Sequence, residues 1–335
     1  MPKKRPETKT SAINTSADYF LAIDLRPREF EILGQLATMG FVGQDIIFRS
    51  PYAHGGVGAF HVKGRFRDRP AVVKVQGVKP LISEVKMIKS FAAQNRSSLI
   101  RPPQVYFHTP WNHSRAYELI FMESVEGDFI VKEGELASPS SVSRFFELYR
   151  DYKKNCLTRP WLSPASSDSF TQRHTQWDQM LQAHSRRGLV EVSDLNLIRR
   201  ASTILLARYS RTPSEFQQRH LSVNDFKTDT HAKVVIFSNL FWQYTQPLFD
   251  LTFAYSWYLL TIAHFSISEI TRQHSLWQSE MLKVAKELGR VEDYHFALLE
   301  RSVAQLGLDM LMIPQESDIL KIRPLIRSQV SSLLS

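Results

Sequence analysis

Two rhythms of apolar and polar positions run along this chain, and the change between them falls near residue 125. Before it, short runs rich in Val, Ile, Phe and Tyr are cut by Gly, Pro, Asp and Asn, at residues 45–52, 59–66, 71–76 and 117–124. Runs of that length and composition, bounded by turn formers, predict strands. Between the third and the fourth, Ile82, Val85, Ile88 and Phe91 recur every three residues, which is the buried stripe of a helix over 82–94. Residues from about 30 to 125 therefore read as a mostly antiparallel sheet interrupted by one helix.

After Gly127 the spacing is helical. Residues 143–155, the region around 177–187, 194–209, 248–265, 270–288 and 291–308 all carry it, and one β-like island, Lys233–Phe237, interrupts them. Ser-rich stretches from Ser138 and Ser163 read as loops, and no internal repeat is visible. The expected class is α+β with two lobes: a flexible basic tail over 1–20, a small β-rich lobe over 21–125, and a larger helical lobe over 126–335. The stretch Leu248–Phe265 is the most lipid-like. It contains Asp250 and His264 and falls short of the roughly 20 apolar residues a bilayer demands, so it predicts a buried helix and no membrane span.

Composition narrows the classes further. With 335 residues, 43% of them hydrophobic and 22% charged, the chain has enough apolar material for a sizeable core. Its one cysteine, Cys156, has no partner for an internal disulfide and no Cys/His cluster around it, which fits a reducing, cytoplasmic setting without a structural zinc. The basic N-terminus never reaches the apolar segment a secretory signal needs. A net charge of +9 favours anions such as nucleotide phosphates, nucleic acid or acidic membrane surfaces. The basic pairs Lys153-Lys154, Arg186-Arg187 and Arg199-Arg200 read as solvated helix faces without a nucleic-acid signature, so nucleic acid is not the expected partner.

Candidate chemistry begins in the small lobe. Gly55, Gly56 and Gly58 lie between two predicted strands, where backbone N–H groups can approach phosphates with no side chain in the way. Lys74, on the next strand, supplies a point charge for phosphate oxygens, and Glu84, ten positions later at the start of the helix, is placed to hold that lysine. An ordinary Gly-rich hairpin beside an exposed strand lysine, with a solvated helix carboxylate, is the plainer alternative. Residues 118–130 then read as a strand and hinge, where backbone groups of Glu123 to Val125 would face an adenine.

The stretch from Gln217 to Leu260 carries the main resemblance. It resembles the core of aminoglycoside phosphotransferases and choline-kinase-like proteins, in which a His-Gly-Asp-Leu-x-x-x-Asn loop precedes a hydrophobic strand ending in Asp-Trp-Glu and then a Pro-x-x-Asp-Leu helix start. Aligned on Leu221, His220 stands where the resemblance implies a catalytic aspartate, and Asp225 where it implies a metal-binding asparagine. Ser238-Asn239-Leu240 replace Asp-Trp-Glu, and Pro247 to Leu251 match the helix start, implying a structural role for Asp250. A competing register pairs Asn224 with the metal asparagine and puts Arg219 at the aspartate position. In either register the catalytic and metal aspartates are missing.

The resemblance implies a protein-kinase-like fold with ATP as the nucleotide, bound in the cleft between lobes together with an unidentified small-molecule or protein partner. Phosphoryl transfer needs charge neutralisation by metal and an oriented acceptor. Ser238 is a poor ligand for Mg²⁺, a hard ion that favours anionic oxygen, so metal dependence held by Asp225 and Ser238 should be weak or absent. His220 is the candidate proton acceptor; the alternative is a histidine kept for hydrogen bonding in its loop. Three readings follow: a degenerate kinase-like binder, a divergent ATP-dependent phosphotransferase acting on a hydroxyl through Lys74, His220 and Asp225, and a basic polyanion binder.

Overall fold

The structure, a computed structural model, describes residues 24–335 apart from 52–55, 78, 80, 81, 164–169, 187–189 and 314. The basic tail 1–20, Gly55 and most of the second Ser-rich stretch lie outside the described residues. The chain divides into two compact units. One takes the described residues up to 81 together with His108–Phe121, and the other takes Ile82–Phe107 and Met122–Ser335.

The first unit opens with α1 (Glu29–Thr38), followed by β1 (Phe41–Pro51), β2 (Val57–Phe66) and β3 (Arg69–Gln76). β1 pairs antiparallel with β2, and β2 with β3. Alternation is the cause in β2: Val62, Gly64 and Phe66 are buried while Lys63 and Arg65 are exposed. Gly64 has no substitute there, because a Cβ would stand 2.2 Å from the Val42 carbonyl oxygen on β1. Phe121 closes the core against Phe41 and Phe66, with ring centroids at 5.9 and 4.7 Å.

α1 is a helix that the sequence pattern did not announce. Ile32 and Leu36 are its buried pair, while Phe30 on the same helix is exposed and Gly34 interrupts the middle, so its apolar stripe is two residues long. The expectation of a single helix between 30 and 125 is corrected to two.

The second helix, α2 (Glu84–Gln94), belongs with the second unit, so the division does not fall simply at residue 125. β4 (Ile100–Arg101) follows, and β5 (Val105–Thr109) and β6 (Glu118–Glu123) cross the division to complete a five-stranded sheet in the order β1-β2-β3-β6-β5. The remaining helices are α3 (Pro139–Asp151), which runs on into a π turn over Tyr152–Cys156, then α4 (Phe170–Arg186) and α5 (Val192–Tyr209). Four short strands come next: β7 (Glu215–Gln218), β8 (Phe226–Thr228), β9 (Val234–Ile236) and β10 (Trp242–Thr245). β9 lies between β8, antiparallel to it, and β4, parallel to it, while β7 pairs with β10.

The chain ends in α6 (Phe249–Thr261), α7 (Ile267–Glu287), α8 (Val291–Gly307) and α9 (Glu316–Leu333). α6 is buried on nearly every side, as its continuous apolar run predicts, and no described helix is long and apolar enough to cross a membrane. α9 was not anticipated, because Pro324 inside it reads as a helix stop. Its stripe Ile322, Ile326 and Val330 nevertheless keeps the helical period. Arg327 pairs with Asp194 and Glu191 on and beside α5, which holds the helix through its proline.

Candidate functional site

The loop after β7 is shaped by its own side chains. Ser222 caps a short 3₁₀ turn, Val223–Asp225, in a reciprocal arrangement: the Ser222 N–H donates to Asp225 Oδ2 at 2.6 Å, and the Asp225 N–H returns to the Ser222 carbonyl at 3.1 Å. β8 starts directly after Asp225, and the Phe237 N–H donates to the Asp225 carbonyl at 3.1 Å. That bond brings Ser238, in a left-handed conformation at φ 57°, to the same place. Asp225 is only 3% exposed. Burial pushes its carboxyl up to about 7, with the nearby Glu133 carboxylate adding to the rise, while hydrogen bonds from Ser222 and Ser238 pull against it.

Glu133 is a member of this group that sequence reasoning missed. Residues 127–130 lie along β8, with the Ile130 N–H on the Phe226 carbonyl at 3.0 Å and Phe129 bridged to Lys227. Gly127 permits the approach, since a Cβ there would fall 1.9 Å from the Thr228 carbonyl oxygen. The chain then delivers the Glu133 N–H to Asn224 Oδ1 at 2.9 Å. The Glu133 carboxyl is raised by burial, against hydrogen bonds from Ser222 and Trp257. Nothing in the local pattern marks this residue, because its position comes from a non-local pairing. The same bond commits the Asn224 side-chain oxygen, the candidate of the competing register.

His220 is held separately, in a ladder of rings. Its imidazole stacks between Phe241, at 4.2 Å and 14°, and Phe253, at 4.9 Å and 19°; Trp257, one helical turn on from Phe253, stacks on it at 6.3 Å and 5°. Burial lowers the His220 pKa well below its ordinary value, and the Arg219 and Arg301 charges lower it further. The imidazole is therefore neutral and a weak base, since an imidazolium here would be both desolvated and flanked by two guanidiniums. Arg219 is buried, with its N–H on the Phe241 carbonyl at 2.9 Å. The Gln243 amide, turned with its oxygen toward Arg219, accepts from Nε and Nη1 at 3.2 and 3.1 Å. Arg301 lies over the Phe253 ring at 4.8 Å and donates from Nε to Ser256 Oγ at 3.1 Å.

Asp250 anchors the other end of the segment. Fully buried in the first turn of α6, it accepts from the Tyr149 hydroxyl at 2.7 Å, with Lys153 Nζ 3.6 Å away. Their own burial, and then the charge of Asp250, keeps the Tyr149 and Tyr152 phenols protonated. The Tyr152 hydroxyl accepts the Gln218 N–H at 2.8 Å, so the tie between helix and loop runs through the tyrosine beside Asp250.

The remaining candidates are divided between the two units. Gly56 is buried and Gly58 lies in β2, its carbonyl accepting the Gly77 N–H at 2.8 Å. Lys74 in β3 is 7% exposed and directly opposite His61, whose pKa falls to about 3 through burial and the charge of Lys74. Glu84 is the buried first residue of α2. The Glu123 side chain pairs with Arg101, which also holds Asp229, and the Glu123 N–H is already on the Gln104 carbonyl at 2.9 Å. Val125, two residues on, is buried.

A divalent cation at the Asp225 position would meet two carboxyls, Asp225 and Glu133, both raised by burial and both already hydrogen-bonded to Ser222. Ser238 itself is neutral. That donor set does not fit a tightly held Mg²⁺, which favours several anionic oxygens at short, regular distances.

No family model matches the chain, and no curated protein is similar to it in sequence. Solved structures are similar in fold. Aminoglycoside phosphotransferase APH(4)-Ia gives a TM-score of 0.58 at 8% identity, over 91% of this chain and 97% of that one. A thermostable mutant of the same enzyme, in ternary complex with ADP and hygromycin B, gives 0.59 at 8% identity, over 90% and 97%. A microcompartment-associated aminopropanol kinase gives 0.55 at 12% identity, over 91% and 95%. At such identities the likeness is one of fold: the chain has the α+β, protein-kinase-like fold of these phosphotransferases.

Proposed function

We propose that this chain is a kinase-like protein that binds a nucleotide, ATP by the analogy of fold, and transfers its phosphoryl group slowly or not at all. The observation that carries this reading is His220. It stands where the resemblance expects the catalytic aspartate, and it is a neutral, weakly basic ring fixed between Phe241 and Phe253. A residue that orients an acceptor hydroxyl must be able to take its proton near working pH. The bonding of Asp225 to Ser222 and Ser238 supports the same conclusion for the metal. Phosphate binding falls to Lys74 and the glycines at 55–58, with Glu84 as the lysine's support and Glu123 to Val125 as the adenine-facing segment. The unidentified partner is a small hydroxyl compound or a protein.

A divergent phosphotransferase is the second reading, and the pair Asp225 and Glu133 favours it, since a carboxyl raised to about 7 is suited to proton transfer. The test is turnover. Hygromycin B and aminopropanol, named with the structural neighbours, are the first acceptors to offer. Our reading expects turnover at the detection limit, and metal-dependent ATP binding only after His220→Asp and Ser238→Asp are introduced together. Robust Mg²⁺-dependent transfer by the unaltered protein, abolished by Asp225→Ala, would establish the second reading.

A further inference from the structure

The β2–β3 hairpin carries a pattern that nucleotide binding leaves unused. Lys63 and Arg65 are exposed on one face of β2, while Arg67, in the turn, and Arg69, opposite Phe66 in the β2–β3 register, lie toward the other face. Four cations thus fall within seven residues, with Asp68 among them and Asp45 of β1 opposite Lys63. The register also places exposed apolar residues on both sides of Arg65: Val42 of β1, 69% exposed, and Pro70 of β3.

The turn is costly for the residues it holds. Arg67 has φ 48° and Asp68 φ 63°, both in the left-handed region, where two-residue hairpin turns ordinarily use Asn and Gly. A side chain is kept at 67 although the backbone disfavours it. The Arg67 guanidinium rests 5.0 Å over the Phe66 ring, and Arg65 donates to the Asp68 carbonyl, so the cations are arrayed about the tip.

We propose that the tip of this hairpin docks the protein on an anionic lipid bilayer, with Arg65, Arg67 and Arg69 around the tip on lipid phosphates and Val42 and Pro70 resting at the interface. Charge complementarity selects an anionic partner. The apolar neighbours select a bilayer over nucleic acid, whose backbone would engage the cations and leave Val42 and Pro70 in water.

The test is co-sedimentation of the full chain with phosphatidylcholine vesicles, with and without phosphatidylserine, and with a DNA duplex as competitor. Binding is expected only with phosphatidylserine and should weaken as salt is raised. Each cation at an anionic surface contributes about fivefold in partition, so Arg65→Gln with Arg67→Gln should lower it about 25-fold. Arg67→Gly separates docking from folding: its melting temperature should rise as the turn relaxes while partition falls about fivefold. Equal binding to pure phosphatidylcholine, unchanged partition of the double variant, or binding to the duplex without binding to vesicles would each overturn the proposal.

Discussion

Replacing Asp225 by Asn should stabilise the protein by an amount that grows from about pH 4 to pH 7 and then levels off. A carboxyl at about 7 in the folded protein and 3.8 in the free side chain holds its proton more tightly when folded. Its stabilising contribution is complete below 3.8 and is lost as the pH rises through about 7, because the folded state must then ionise a buried group. Each pH unit in that window is worth up to about 1.36 kcal/mol, which amounts to about 4 kcal/mol across it as an upper value. Asn has the shape of the protonated acid, can still accept the Ser222 N–H, and does not titrate. Urea denaturation of both proteins at pH 5, 6, 7 and 8 reads the difference. The gap should be about 1–2 kcal/mol at pH 5, grow to about 4 kcal/mol by pH 7 and then level off, as upper values. Glu133 is raised for the same reason and has the same sign, so the variant should keep a shallower slope of its own. An offset that is constant with pH, or a variant less stable at pH 8, would refute the reasoning.

Two further substitutions probe how the site is built. Tyr152→Phe leaves the Gln218 N–H without its partner in the interior and should cost about 1–3 kcal/mol in urea, with the helical circular dichroism unchanged; no loss would show that the loop is not tied through Tyr152. Phe253→Ala opens one face of His220 to water, so the imidazole, followed by NMR against pH, should titrate closer to its ordinary value. An unmoved titration would mean that the arginines, and not the ring ladder, set its basicity.

Much of this arrangement is written locally in the chain. The β-rich run at 59–66, alternating over 62–66, and the three-residue rhythm of 82–94 specify β2 and α2. The continuous apolar run of α6 specifies its burial, and β9 follows from the apolar island 233–237, whereas β7, β8 and β10, too short to stand out, were not anticipated. What stays hidden depends on pairing at a distance. Glu133 reaches Ser222 only because residues 127–130 lie on β8, and the rings around His220 come from residues 241 and 253 as well as its own loop. α1 was obscured by its two-residue stripe, and α9 by a proline that its ion pairs to α5 override. From sequence α2 reads as part of the small lobe, and its grouping with the other unit depends on tertiary neighbours and not on its own period.

The central claim is that this protein binds a nucleotide without needing a metal. Isothermal titration of ATP into the full chain, once with EDTA and once with Mg²⁺ in excess, tests it directly. The account predicts binding in both, with dissociation constants within about threefold of each other and a matching rise in melting temperature as ATP is added. Absence of binding, or binding that Mg²⁺ tightens by more than about tenfold, a difference of about 1.4 kcal/mol, would contradict it.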